Sequence, residues 1–339
     1  MRIVDLERTD DDGVRACHQT VIAASTADDP VKQPWSLGSF TGWLRVGWDG
    51  NPSEAWYVPG SDGDNGLAAA GWYRLELPDL ENKDRARLKL VVHPACRRRG
   101  LGRELLRHAA ARAAEHGRSL LSSAALRGTP GEEFARAMGF SFSIYQPRRI
   151  LDLRTVATGQ FARLRAEATP KAAGYTLVRW TGPTPEEHLA HHAGVLNAMN
   201  DAPHGEGYED NLWDADRVRD RAEAALAVSG ERAYSVGALH DGSGEMAALT
   251  QVFVAPEIPE WGDQGITAVT RPHRGHRLGL LTKATMLEWL AEAEPALERI
   301  ATENAESNSY MISVNEALGY RLAPPGAQFV QAPVAGIGQ

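Results

Sequence analysis

The sequence predicts an α/β chain, of the α+β type, built as two domains that follow one another on one plan. Three observations carry that expectation. The chain has 339 residues, long for one core and suited to two domains of about 170 residues each. Strand-like runs alternate with helical stretches along its whole length. And the sequence repeats itself.

The repeat is clearest in "VVHPACRRRGLGRELL" (Val91–Leu106) and "VTRPHRGHRLGLLTK" (Val269–Lys283), where Arg97 matches Arg274 and Gly102 matches Gly279, each 177 positions on. Each copy runs on through a helical stretch to a Gly-aromatic pair, "ARAMGF" ending at Phe140 and "NEALGY" ending at Tyr320. Upstream, "TADDP" ending at Pro30 matches "MNDAP" ending at Pro203. The front ends, "MRIVDLERTDDD" and "GYTLVRWTGPTPEEH", share one plan as well, and four landmarks in one order are the mark of a tandem duplication.

In the first half strands are expected near 2–7, 54–58, 67–77, 87–93, 119–124 and 141–153. Thr9 and the acidic residues after it read as a helix start. A helix over about 100–116 carries Leu101, Leu105, Ala109 and Ala113 as one buried stripe. In the second half strands are expected near 175–180, 232–239, 246–254, 265–270, 298–302 and 326–331. Thr184, Pro185 and Glu187 read as a capping box with proline at the first helical position. The domains are expected at 1–153 and 174–339, with 154–173 a linker, helical where Ala and Arg dominate, and "APVAGIGQ" a frayed end.

Composition narrows the function. A net charge of −8 argues against nucleic acid as a general partner. Two cysteines, Cys17 and Cys96, are too few for a disulfide framework, and no apolar run is long enough to span a membrane. With no apolar leader after Met1, a cytoplasmic monomer or homodimer is expected.

"CRRRGLGRELL" holds the chemistry. Glycines let backbone N–H groups approach a ligand, a helix start adds its positive dipole end, and arginines add bidentate bonds to phosphate. A phosphate-binding G-x-x-x-x-G-K-[ST] loop is absent, and Leu105 stands where a dinucleotide fingerprint needs its third glycine.

The pattern R-x-x-G-x-G between an extended "LKLVVHP" and a helix resembles the coenzyme A loop of the GNAT superfamily of N-acetyltransferases, and the Gly-aromatic pairs resemble that family's last helix. The resemblance covers both halves, a tandem arrangement like that of mycothiol synthase-type enzymes. It implies two mixed, mostly antiparallel sheets flanked by helices, each with a splayed cofactor-binding strand. It implies acetyl-CoA as co-substrate, no metal, and a small-molecule amine as acceptor. Val92, Arg97, Arg98, Arg99, Gly100, Leu101 and Gly102 would form one cofactor site. Val269, Arg274, Gly275, His276, Arg277, Leu278, Gly279 and Asn308 would form the other, although Arg277 stands where the pattern has glycine. A backbone N–H near Val92 or Val269 would polarise the thioester carbonyl.

The family's tyrosine acid is missing, since its positions hold Ala135 and Asn315. Tyr310 is a stand-in candidate, although packing against the sheet is the simpler reading. A thiolate with a pKa near 8.5 leaves without a dedicated acid. Deprotonating an amine is harder, because at pH 7 an alkylamine is free base about once in 2,500, worth about 4.6 kcal/mol. Glu76, His93 and Glu257 are the base candidates. Cys96 is not expected to act as a nucleophile.

The acidic stretch "HGEGYEDNLWDADR" (His204–Arg217) falls where the family shapes its acceptor site and would attract a cationic amine, unless it is only a solvated loop leading to a helix capped by Asp214. The matching first-half loop, Val31–Trp48, is aromatic. "HLAHH" (His188–His192) has chelating spacing but no third ligand, and a surface helix is expected. The acidic stretch and Asn308 favour the second half as the catalytic one. The alternative is a non-catalytic acyl-CoA-binding or sensor protein.

Overall fold

The computed structural model describes residues 2–7, 9–61, 66–203 and 207–337. Its first half runs β1 (Val4–Asp5), α1 (Asp11–Asp28), α2 (Leu37–Arg45), β2 (Ser53–Pro59), β3 (Ala69–Glu76), β4 (Arg85–Val92), α3 (Leu101–Glu115), β5 (Leu120–Leu126), α4 (Pro130–Ala137) and β6 (Ser141–Gln146). There follow β7 (Arg148–Asp152), α5 (Gln160–Ala168), β8 (Tyr175–Thr181), α6 (Leu189–Asn197), α7 (Ala215–Arg217), α8 (Leu226–Ser229), β9 (Arg232–His240) and β10 (Met246–Val254). The chain ends through β11 (Trp261–Val269), α9 (Leu278–Ala293), β12 (Arg299–Glu303), α10 (Ser309–Leu318), β13 (Arg321–Leu322) and β14 (Ala327–Pro333).

Two compact units result. One comprises Met1–Gln146, Gly205–Glu209 and Pro325–Gln339; the other comprises Pro147–His204 and Asp210–Pro324. Each holds a seven-stranded sheet, in the orders β1-β2-β3-β4-β5-β14-β6 and β13-β7-β12-β11-β10-β9-β8. All neighbours are antiparallel except β4–β5 and β11–β12.

The sheets redistribute two expected strands. The run 141–153 is not one strand. Proline has no N–H to give a ladder and a fixed φ, and at Pro147 the run breaks into β6 of the first sheet and β7 of the second. The strand expected near 326–331 is β14, between β5 and β6 in the first sheet. The segment 154–173 is packed rather than a linker: Leu164 and Ala168 of α5 are buried against the second unit's core. "APVAGIGQ" does not fray as expected, because Ala332 and Val334 are buried in the first unit's core; residues 338–339 lie outside the described ones.

Local chemistry sets the helix ends. Asp10 caps α1 by accepting from the Gly13 N–H at 2.9 Å, with Asp11 and Asp12 on the positive end of the dipole. The α3 stripe is buried as its period requires. The capping box at Thr184 does not form. Its hydroxyl bonds Glu223 at 2.5 Å and His192 at 2.9 Å, and the short turn at 186–188 starts without a side-chain cap. His192 is only 2% exposed and burial lowers its pKa to about 4, so "HLAHH" is not the plain surface helix expected. Among the described residues no helix is long and apolar enough to cross a membrane.

Candidate functional site

Each parallel strand pair opens into a cleft. β4 and β5 pair only from Arg85↔Leu120 to Arg87↔Ser122, although β4 runs to Val92 and β5 to Leu126. β11 and β12 pair only from Trp261↔Arg299 to Asp263↔Ala301. Past those points the ladder stops, with the Ser123 hydroxyl still donating to the Leu88 carbonyl at 2.7 Å in the first sheet, and the arginine-glycine loop follows the unpaired end of the strand.

The two loops share one backbone path. Arg98 and Gly100 are left-handed in the first, with φ of 64° and 85°. Gly275 and Arg277 are left-handed in the second, with φ of 91° and 56°. Each loop thus needs two left-handed residues, and each supplies one as glycine and one as arginine. Arg277 therefore does not block the turn. Helices starting at Leu101 and Leu278 leave first-turn N–H groups with no intrahelical acceptor. The loop residues Arg98, Arg99, Gly100, Gly275, His276 and Arg277 are exposed, whereas Leu101 and Leu278 anchor the helices in the core.

The protein leaves room beside Gly102 and Gly279. A Cβ on Gly102 would stand 3.4 Å from the Phe134 ring and 3.7 Å from Val92. On Gly279 it would stand 3.8 Å from Val269 and 4.0 Å from the Tyr310 hydroxyl. Neither glycine is demanded by protein packing, which fits a ligand that passes close to the backbone. Tyr310 is 54% exposed, so it stands by the start of α9 instead of packing against the sheet.

Arg97 and Arg274 are bonded to the loop's own scaffold. Arg97 donates to the Val92 carbonyl at 3.2 Å and holds Asp28 through two bonds of 2.7 Å. Arg274 donates to the Val269 carbonyl at 3.2 Å and to Asp201 at 2.6 Å. Asp201 also binds Arg271, and both arginines lower its pKa. The guanidinium fork is thus a clamp between the loop and the end of the first helical segment. Asp28 and Asp201 belong to the "TADDP" and "MNDAP" landmarks, which the sequence displayed without revealing what they hold.

The strands before the loops differ. In the first sheet β3 and β4 pair without interruption from Gly71↔Val92 to Glu76↔Arg87. In the second, Thr250↔Thr267 is followed by Val252↔Gln264, so β11 carries one extra residue opposite Gln251. This bulge at Gly265–Ile266 takes backbone out of the ladder beside the cleft. The Gln264 amide donates to the Gln251 carbonyl at 2.5 Å, and the Lys283 ammonium donates to the Gln264 carbonyl at 2.8 Å.

The acid and base candidates are dispersed. Glu76 accepts from Arg74 and Arg87 at 2.8 Å each and from Asn51 at 3.2 Å, which makes it the anion of a buried charge network. His93 caps the turn 94–96, with Nδ1 accepting from the Ala95 N–H at 3.2 Å. Burial, then Arg97, lowers its pKa, so it is a neutral imidazole with its proton on Nε2. Glu257 is exposed in the turn between β10 and β11. Asn308 caps α10, accepting from the Met311 N–H at 3.2 Å. Asn315, at the position of the family's tyrosine, is buried and donates to Asn304 at 2.7 Å. Cys96 is buried in the core beside α3.

The acidic stretch is built into the local structure. Residues 207–209 belong to the first unit, where Arg85 stacks on the Tyr208 ring at 4.4 Å and bonds the Gly207 carbonyl. Glu209 exchanges hydrogen bonds with Asn82. Asp214 caps α7 as expected and Asp216 pairs with Arg219. Glu209 and Asp214 thus serve the local structure while keeping their charge, and among the described carboxylates of the stretch only Asp216 is matched by a cation; His204–Glu206 lie outside the described residues. Among the described residues no cluster of three or more histidine, cysteine or carboxylate groups is placed to hold a metal.

The model of the acetyltransferase (GNAT) family matches residues 22–140. No curated protein sequence matches the chain at a significant level. Among solved structures, a tandem GNAT protein from the clavulanic acid biosynthesis pathway is 30% identical, covers 98% of both chains and has a TM-score of 0.79. A GCN5-related N-acetyltransferase from Sphaerobacter thermophilus is 14% identical over 98% of this chain and 95% of its own, with a TM-score of 0.63. One from Kribbella flavida is 14% identical over 97% of this chain and 70% of its own, with a TM-score of 0.51. The last two share the fold alone. Duplicated clefts, duplicated loops and a full-length relative at 30% identity lead to one conclusion: the chain belongs to the GNAT family of acetyltransferases, as a protein of two tandem GNAT domains.

Proposed function

We propose that the protein moves an acetyl group from acetyl-CoA to a primary amine of a small molecule by direct attack, and that the second unit performs the chemistry. The observation that supports this most strongly is the bulged β11, present beside one cleft and absent from the other. A bulge frees backbone N–H groups that can polarise a thioester carbonyl, as oxyanion donors do. The loop N–H groups at 98–102 and 275–279 cradle the pyrophosphate, and Arg98, Arg99, His276 and Arg277 add side-chain donors. Arg97 and Arg274 hold the loops through Asp28 and Asp201. Asn308 keeps its assignment to the cofactor in the second unit. A small acceptor is favoured because the tandem relative is named for a small-molecule pathway.

Tests of this reading are calorimetric titration with acetyl-CoA, read for stoichiometry, and CoA release with a panel of amines. Expected are binding and turnover that survives variants of the first loop and is lost with variants of the second. No binding at millimolar ligand overturns the proposal. Binding without turnover would establish the alternative, an acyl-CoA-binding protein, which the tyrosine missing from both units favours for either and the commitment of Glu76 favours for the first.

A further inference from the structure

The repeat lets the two cores be compared position by position. On the α3 side of the first sheet Tyr73, Leu75, Leu88, Leu106 and Phe140 share one core cluster with Leu90 packed against it, and its one polar group, the Tyr73 hydroxyl, bonds His108 at 2.6 Å. The pairs Tyr73↔Leu90 and Leu75↔Leu88 of β3–β4 correspond in register to Thr250↔Thr267 and Val252↔Gln264 of β10–β11. Leu106 and Phe140 correspond to Lys283 and Tyr320. The second unit has therefore replaced four apolar side chains, Leu88, Leu90, Leu106 and Phe140, by polar ones, and Tyr73, whose hydroxyl bonds His108 in the first unit, by Thr250, while keeping Val252 apolar.

These polar groups form a chain. The hydroxyls of Thr250 and Thr267 lie 2.8 Å apart, and the Gln264 amide reaches Thr250 at 3.2 Å and the Gln251 carbonyl at 2.5 Å. Lys283 donates to Gln264 at 2.8 Å, and its ammonium sits 5.0 Å from the centre of the Tyr320 ring. Lys283 is 2% exposed and Tyr320 fully buried. Gln251, opposite the extra residue of β11, has no register partner there, and the Gln264 amide takes the place of the missing ladder donor. An ammonium in a core is expensive unless something requires it, and burial drives Lys283 down to a pKa of about 7.

We infer that Lys283 is a positioning residue for acyl transfer in the second unit: through Gln264 it fixes the bulge of β11 and hence the backbone groups presented to the thioester. The inference rests on the proposed activity of that unit. Lys283 acts through Gln264 and the strand, not by touching the acyl group.

The test uses full-length protein and three substitutions, Lys283→Met, Gln264→Leu and, as a packing control on the same helix, Leu287→Val. Expected for the first two is a fall in kcat of tenfold or more with KM for acetyl-CoA within threefold, while Leu287→Val stays near wild type. Using both Lys283→Met and Gln264→Leu keeps the test decisive should one of them fail to fold. A kcat for Lys283→Met within twofold of wild type, or a fall shared by Leu287→Val, overturns the inference and leaves the proposed function standing. Absence of CoA release by the wild-type protein with every amine overturns the proposed function instead, and the inference with it.

Discussion

Replacing Lys283 with methionine separates the energetics of a buried amine from every other titration in the protein. Burial lowers the lysine's pKa to about 7 in the fold from its ordinary 10.5, and at 2% exposed it has almost no solvent to screen it. Its charged form is disfavoured by folding, so below pH 7 the fold carries the whole penalty, on the order of 5 kcal/mol for a fall from 10.5 to about 7. Between pH 7 and 10.5 the unfolded chain binds a proton that the folded chain has released, and stability rises with pH. By pH 9.5 most of that penalty is gone, so wild type should gain on the order of 3 kcal/mol from this group between pH 7 and 9.5. Methionine removes that gain. It also leaves the Gln264 carbonyl without its donor, at about 1–3 kcal/mol. The variant should therefore be more stable than wild type at pH 7 by about 1–3 kcal/mol and equal or less stable at pH 9.5. Urea unfolding at both pH values, read as variant minus wild type, cancels the other groups. A difference that stays flat across this window would refute the reasoning, because it would mean that Lys283 is not desolvated.

Three further outcomes follow from the loops. Gly279→Ala and Gly102→Ala should leave stability unchanged or raise it by about 0.5–1 kcal/mol, since the Cβ meets protein only at van der Waals contact, yet weaken acetyl-CoA binding tenfold or more in the altered unit; unchanged calorimetric affinity would refute the cradle. Arg277→Gly relieves a left-handed φ of 56°, and unfolding measurements should show a net gain of about 0.5–1 kcal/mol after the added freedom of the unfolded chain, with a loss of stability as the refuting result. Asp28→Asn and Asp201→Asn should each weaken acetyl-CoA binding threefold or more at one of two sites without touching ligand, and a titration identical to wild type would show that the clamp does not shape the loop.

The sequence displayed what is periodic and local. The α3 stripe, the central strands, the loops and the duplication were legible because each lies in one short window or in a copy at constant offset. Pairings across about 70 residues were not: Asp28 and Arg97 were both visible as landmarks, but periodicity says nothing of which landmark meets which. The run 141–153 reads as one strand, since a single proline inside it does not say which sheet the residues after it join, and so the expected strands place β7 and β14 in the wrong sheets. The bulge in β11 is a single inserted residue, invisible until register is known. Lys283 did leave a signal, as the one charge in "LGLLTKATMLEWL" before Glu288; a lone lysine on a helix otherwise fit for burial marks a group held against its solvation energy.

The divergence of the copies is confined, which bears on what each half does. The loops keep one backbone path even where glycine and arginine trade places between the left-handed positions, and both clamps survive with their carbonyl and carboxylate partners. Selection on a phosphate cradle would act in this way, on the direction of N–H groups more than on side chains. The strands that enter those loops have parted. One is an unbroken ladder over an apolar core, and its neighbouring charges are closed on themselves in the network of Glu76 with Arg74 and Arg87. The other is bulged and underlain by Lys283, Gln264 and two threonines, at a cost in stability that an apolar core would avoid. Acyl transfer needs both a held cofactor and a strand shaped for the carbonyl, whereas holding the cofactor needs the loop alone. A first unit that binds and a second that binds and reacts is the assignment under which both the shared loops and the divergent strands have a physical reason.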